Sequence, residues 1–184
     1  MKYISLVMVR ENMAGLPSFQ LPEGYKIRTF VKGDEHLWAK IEKLAGEFDN
    51  EERALEHFQK EFGPFVAEME DRCFILEDPQ GEAIGTATAW YGTFENEIRG
   101  RVHWVGIVPG YQGKKLSKPL LGAVMMRLAA QYQKAYLTTQ TKSYRAVNMY
   151  LDFGFVPYNS NDSYETYIEG WQLMEGLLDR KISF

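Results

Sequence analysis

Cysteine is nearly absent: Cys73 is the single one among 184 residues. One thiol cannot close a disulfide within the chain or build a Cys-based metal site. Histidine is scarce as well. His36, His57 and His103 lie too far apart to form a close-spaced ligand motif, so no metal is expected. No apolar run is long enough to cross a bilayer, and the opening "MKYISLVMVR" alternates instead of forming an unbroken signal-peptide core. Positive charge is not in excess; a net charge of −4 does not suit a nucleic-acid-binding surface. Repeats, low-complexity segments and charge blocks are missing too. The expectation left standing is a cytoplasmic globular protein with no nucleic-acid or membrane partner. With 45% hydrophobic and 14% aromatic residues, the chain can bury a core as one domain over 1–184.

The periodicities give an order of elements. Residues 3–10 alternate as a strand, and a turn-rich linker runs to residue 24. "YKIRTFV" is a second strand. "GDEHLWAKIEKLAGEF" is a helix with Asp34 in the N-cap position and an apolar stripe of Leu37, Trp38, Ile41, Leu44, Ala45 and Phe48. A second helix opens at Asn50 and ends at Gly63-Pro64. "RCFILED" and "EAIGTATAWYG" flank the hairpin turn "PQG". The strand "RVHWVGIVP", a helix over about 114–133, the strand "AYLTTQT", a short helix "SYRAVNMYLDF" and the strand "GFVPY" complete a core spanning 25–158. A tail helix follows from about 163. Its apolar stripe, Tyr167, Trp171, Met174 and Leu178, packs on the domain or on a second copy in a homodimer. The order predicts an α/β fold: a mixed central sheet of about six or seven strands with helices on both faces. The strands on either side of the 114–133 helix should run parallel.

The segment "VPGYQGKKLSKPLL" (108–121) then stands out. It leaves a strand, turns, and enters a helix with Lys114 and Lys115 at its start, where the helix dipole favours anions over cations. A turn at the carboxyl end of a strand in an open α/β sheet is where ligands collect. Successive N–H groups from Gln112 onward can cradle phosphate oxygens, with the lysines as countercharge. A plain helix start with solvated lysines fits the same residues. The spacing is not that of a P-loop.

"VGIVPGYQGKKLSKPLL" resembles the central motif of the GCN5-related N-acetyltransferases (GNAT). "SYRAVNMYLDFGFVP" resembles the family's later motif, in which an Ala–Val pair precedes an apolar-Tyr and then Gly-Phe. The two stand about 30 residues apart, in the right order and on the right elements, and the element order agrees from about 25 to 158. The chain departs from the pattern where the family's first glycine falls on Lys115, its closing Gly or Ala on Ser117, and its frequent Asn on Ser143.

The resemblance implies acetyl-CoA or coenzyme A as cosubstrate and an amine-bearing acceptor attacked directly in a ternary complex. Carried over residue by residue, it puts the pyrophosphate at Gln112, Gly113, Lys114, Lys115, Leu116 and Ser117. The pantetheine arm lies along the strand ending at Ile107 and Val108, with the Ile107 N–H on the acyl carbonyl. Ser143 takes the later-motif contact. Tyr150 is the implied general acid for the leaving thiolate, its phenol protonated at neutral pH; a core aromatic is the other reading of the same position. No Glu lies on strand 101–108, so the base falls to His103, which otherwise reads as a half-buried, hydrogen-bonded strand histidine. Glu95 and Glu97 are runners-up. Gly106 suits a bulge or a close backbone approach. Glu47, Asp49, Asn50, Glu51 and Glu52 could attract a cationic acceptor or simply open a helix. Trp90, Tyr91 and Phe94 could line a pocket or pack. A CoA-binding module without catalysis is the rival from another class, and a longer acyl donor fits as well.

Overall fold

The computed structural model describes residues 1–160 and 163–184. Seven strands form one mixed sheet: β1 Ser5–Arg10, β2 Lys26–Thr29, β3 Cys73–Glu77, β4 Ala83–Phe94, β5 Glu97–Ile107, β6 Ala135–Gln140 and β7 Val156–Tyr158. Their order is β2-β3-β4-β5-β6-β1-β7. The helices are α1 Glu35–Ala45, α2 Glu51–Glu61, α3 Val66–Arg72, α4 Ser117–Ala129, α5 Tyr144–Asp152 and α6 Tyr164–Leu178. β5 and β6 pair in parallel at Gly100–Ala135 and Arg101–Tyr136, as the strand–helix–strand order requires. The N-terminal strand is not an edge. β1 runs antiparallel between β6 and β7. No helix among the described residues is long and apolar enough to cross a membrane.

The chain divides into two compact units. One comprises Met1–Pro17, Tyr91–Arg101 and Gln131–Phe184; the other comprises Ser18–Trp90 and Val102–Ala130. In the first, Leu6, Met8, Leu137, Phe153, Phe155, Trp171 and Met174 form the core. The α6 stripe is spent here: Tyr167, Trp171 and Met174 are buried against the unit, and Gly170 lets the helix close on Ile4 and Leu6. The hairpin joining β4 to β5 turns at Glu95 and Asn96, both with positive φ (49° and 64°). That left-handed pair matches the twist of a two-residue hairpin, although no glycine announces it.

The second unit is built around Phe30, Trp38, Phe58, Phe62, Met69 and Ile75. The β3–β4 hairpin is held by Asp78, whose Oδ1 accepts from the N–H groups of Gln80 and Glu82 at 2.9 Å each. Asn50 caps α2 by accepting from Arg53 N at 2.9 Å, with Glu51 and Glu52 in the first turn. That arrangement answers for the acidic stretch 47–52 as a helix start. Asp34 holds the N-cap position of α1, but its side chain makes no cap bond to the helix. Its carboxylate accepts instead from Val31 N and Arg28. α3 follows Gly63-Pro64 after a short 3-10 turn, a helix the sequence reading does not include. The buried face of α1 is also turned from the expected one: Trp38, Ala39, Ile41 and Glu42 are inside, and Leu44 is exposed.

Candidate active site

In the second unit, β5 leads into the turn 108–116 and α4. Val108 N donates to Ile84 O of β4 at 2.9 Å. In an antiparallel ladder adjacent residues face opposite edges, so the N–H of Ile107 faces away from β4. On its other side β5 pairs with β6 at Gly100 and Arg101. Gln112 Nε2 donates to Ile107 O at 3.0 Å, which fixes the turn to the strand and occupies the carbonyl while leaving the Ile107 N–H on the same edge.

Pro109–Tyr111 forms a 3-10 turn, and Gln112 N donates to Pro109 O at 3.2 Å. The Gln112 amide is therefore committed inside the turn, and the donor set for an anion begins at Gly113. α4 starts at Ser117, not at 114, so both lysines precede the helix. Gly113 and Lys115 have positive φ (79° and 60°). The left-handed backbone at 115 is the conformation a glycine adopts without cost, and here an exposed lysine holds it. The α4 N-terminus has no side-chain cap and no acid in its first turn, and Leu116 is buried beneath it. Exposed residues at 113–115, a bare helix N-terminus and two adjacent cations fit a pyrophosphate. Lys114 Nζ lies 4.5 Å from the Tyr111 ring centroid, and Tyr111 is anchored by its hydroxyl to Asp78.

Strict alternation along β5 fails at Trp104, whose φ is +48°. The irregularity brings consecutive side chains to one partner. Glu61, at the end of α2, accepts from His103 Nε2 at 2.6 Å and from Trp104 Nε1 at 2.9 Å, and pairs with His57 Nε2 at 2.9 Å. The Trp104 ring stacks on Phe48 at 5.5 Å and meets Trp38 edge-on at 5.3 Å. Burial works to raise the Glu61 pKa, but the hydrogen bond and charge of His103, followed by Trp104 and His57, outweigh it and hold the carboxyl at about 2. His103 is thus a hydrogen-bonded strand histidine clasping an ionised carboxylate. The irregularity falls at Trp104, two residues before Gly106.

Gly106 serves close approach. A Cβ there would lie 3.0 Å from Glu42 Oε1 and 3.3 Å from Ala45 Cβ. Glu42 is 1% exposed, and its Oε1 has no hydrogen-bond partner among the described residues. Burial, with some help from the charge of Glu47, raises its pKa to about 8. The sequence reading misses Glu42 and Glu61. The signal for Glu42 was its place four residues after Trp38 on the buried face of α1.

Of the remaining candidates, Glu95, Glu97, Tyr91, Phe94, Ser143 and Tyr150 belong to the first unit, and Trp90 and Cys73 to the second. Glu95 and Glu97 bind Arg99 at 2.8 and 2.6 Å, Glu11 joins at 2.6 Å, and Lys134 bonds Glu97 at 2.9 Å. Lys134 and Arg99 lower the Glu97 pKa, and both acids are members of this ion-pair network. Tyr150 is buried on α5 with its ring 6.2 Å from that of Phe155. Ser143 Oγ accepts from Gln140 Nε2 at 3.0 Å. Of the aromatic candidates, Trp90 packs edge-on against Phe62, Tyr91 stacks on Tyr132, and Phe94 stacks on Tyr136. Cys73 is fully buried in β3.

A mycothiol acetyltransferase of Streptomyces coelicolor is 31% identical over 167 residues, covering 88% of this chain and 53% of the relative. Its counterpart in Streptomyces griseus is 30% identical over 150 residues, covering 79% and 48%. The chain thus spans about half the length of the curated relatives it matches. Among solved structures, a GCN5-related N-acetyltransferase from Sphaerobacter thermophilus superposes with a TM-score of 0.66 at 22% identity, over 85% of this chain and 49% of that one. An acetyltransferase of the GNAT family from Colwellia psychrerythraea gives 0.65 at 11% identity, over 85% and 53%. These structures share the fold. The pattern of the acetyltransferase (GNAT) family matches residues 36–155, from the first turn of α1 to the end of the α5 motif, and with that match the chain belongs to the GNAT family.

Proposed function

We propose that the chain transfers an acetyl group from acetyl-CoA to a primary amine of a small molecule or protein by direct attack in a ternary complex. The observation that carries this is the strand–turn–helix at 105–117: an Ile107 N–H facing away from β4, followed by a left-handed turn and an uncapped, lysine-flanked helix N-terminus. The cosubstrate supplies an activated thioester. The backbone from Gly113 to Ser117, with Lys114 and Lys115, holds its pyrophosphate. The Ile107 N–H donates to the acyl carbonyl and stabilises the oxyanion that develops there. Tyr150 donates its phenolic proton to the departing thiolate, and Ser143 takes the contact of the later motif. The curated relatives are named for mycothiol, which makes a mycothiol-type amine the first acceptor to assay.

The test is thiol release from acetyl-CoA against an amine panel, alongside CoA titration. Valine at 113 is strained at φ +79° and crowds the phosphate approach, so Gly113→Val should weaken CoA binding at least tenfold in a folded protein. Tyr150→Phe should lower turnover by roughly 10²–10⁴-fold with CoA affinity within a few-fold. Unchanged CoA affinity in folded Gly113→Val, or CoA binding without transfer to any amine, overturns the reading in favour of another site or of a non-catalytic CoA module.

A further inference from the structure

We infer that Glu42 of α1 is the proton acceptor for the incoming amine, set against Gly106 on the strand that presents the acyl carbonyl. This rests on the acetyl-transfer reading above and names a group that reading lacks. The sequence candidates for a base are engaged elsewhere: His103 clasps Glu61, and Glu95 and Glu97 are paired with Arg99. Glu42 differs from them all. It is 1% exposed, and Oε1 is unpartnered among the described residues. A buried carboxyl oxygen without a donor is costly to keep, and such groups cluster where chemistry uses them.

Geometry sets that oxygen on the backbone of Gly106. The ideal Cβ position of Gly106 lies 3.0 Å from Oε1, so any larger residue at 106 would collide with the carboxyl. Gly106 Cα is two covalent bonds from the Ile107 nitrogen, the donor assigned to the acyl oxygen. Burial holds the carboxyl at about 8, inside the range where it can exchange a proton with an amine near neutral pH. Glu47, just past α1, adds its charge to the burial of Glu42, and Glu42 in turn adds to the burial that raises the Cys73 thiol of β3.

Glu42 accepts in its ionised form, whose share grows as pH rises toward about 8: the ammonium of the acceptor gives one proton to that carboxylate. The freed lone pair forms the C–N bond to the acyl carbon, and the C–S bond then breaks. The second nitrogen proton is lost as the amide forms, matching the proton Tyr150 gives the thiolate. Glu42 returns its proton to solvent, so amine cation and thioester yield amide, thiol and one proton.

The experiment is kcat and kcat/KM against pH for the parent and Glu42→Gln, with CoA affinity and unfolding midpoint measured on both. The parent rate should rise with an apparent pKa of about 8. Glu42→Gln should lose about 10²-fold or more at neutral pH and regain rate tenfold per pH unit as free amine accumulates, with CoA affinity within threefold. A parent that binds CoA but acetylates no amine overturns the acetyl-transfer reading and this role with it. An active parent whose folded Glu42→Gln stays within threefold at every pH overturns Glu42 alone. Should Glu42→Gln not fold, Glu42→Asp, which withdraws the carboxyl from Gly106 by one methylene, must lose at least tenfold in kcat; parental turnover in it overturns the proposal.

Discussion

Glu42 and Glu61 belong to the same unit, sit one on α1 and one on α2, and both meet β5, yet their surroundings drive them apart. Glu61 has donors from His103, Trp104 and His57 within 2.9 Å and is held ionised at about 2. Glu42 has no donor on Oε1 and is held protonated to about 8. Burial pushes both in the same direction. The difference lies in what each was given in exchange for water: hydrogen bonds to the charged form in one case, a bare glycine backbone in the other. One fold thereby keeps two carboxyls along one strand in opposite charge states at neutral pH, the condition under which two acids can do different work.

The largest test of this contrast is stability against pH. Take Glu42 first. Between 4.5 and about 8 the unfolded chain has lost the Glu42 proton and the folded chain still holds it, so stability falls as pH rises through that window and levels off above it. Replacing Glu42 by Gln removes this dependence. The variant should therefore gain on the parent from pH 5 to pH 9, by on the order of 4 kcal/mol at the upper end, read from urea midpoints at each pH. A difference curve that stays flat would mean that Glu42 is ionised in the folded state. The sign for Glu61 is opposite: its contribution is full above 4.5 and is lost as pH falls through about 2.

A smaller effect comes from Glu61→Gln at pH 7. Gln offers one carbonyl oxygen to three donors and brings no charge, so the variant should lose about 1–2 kcal/mol. That figure is discounted for the partial exposure of the cluster, where Glu61 is 26% and His57 40% exposed in their side chains. Acid denaturation between pH 4.5 and 2 should become shallower. Urea unfolding with parental stability at pH 7 would show that the three donors find water equally well.

Why one carboxylate was hidden in the sequence and the fold was not follows from the kind of signal each leaves. Asn50 and the Asp78–Gly81 turn act through neighbours in sequence, so their residue types announce them. The 108–117 turn is written the same way, in Pro, Gly and lysines. α3 was lost because Gly63-Pro64 reads as a stop, and the β4–β5 turn because Glu95 and Asn96 take left-handed φ without a glycine. The environment of a carboxyl is set across the fold. Glu42 reads as a solvated helix charge until α1 is found to bury Ile41 and Glu42 and expose Leu44. Trp104 at φ +48° likewise breaks the alternation along β5 and brings His103 and Trp104 to one carboxylate.

The finest adjustment available is Glu47, an exposed residue just past α1 that adds a like charge to the burial of Glu42. Burial is the larger cause, so the contrast with Glu61 should survive when this charge is removed. In a Glu47→Gln background, the upper midpoint of the parent-minus-Glu42→Gln stability curve should move down from about 8 by roughly half a pH unit or less, because a charge facing water acts through a high effective dielectric. The shift should shrink in 1 M salt, where screening shortens to about 3 Å, while the burial part remains. If the midpoint instead collapses toward the ordinary carboxyl value on losing Glu47, a surface charge and not the dry face of α1 holds the proton on Glu42. Mutating residues around Gly106 would then not change its acidity. If the midpoint stays up, the bare contact with Gly106 is what separates the two glutamates.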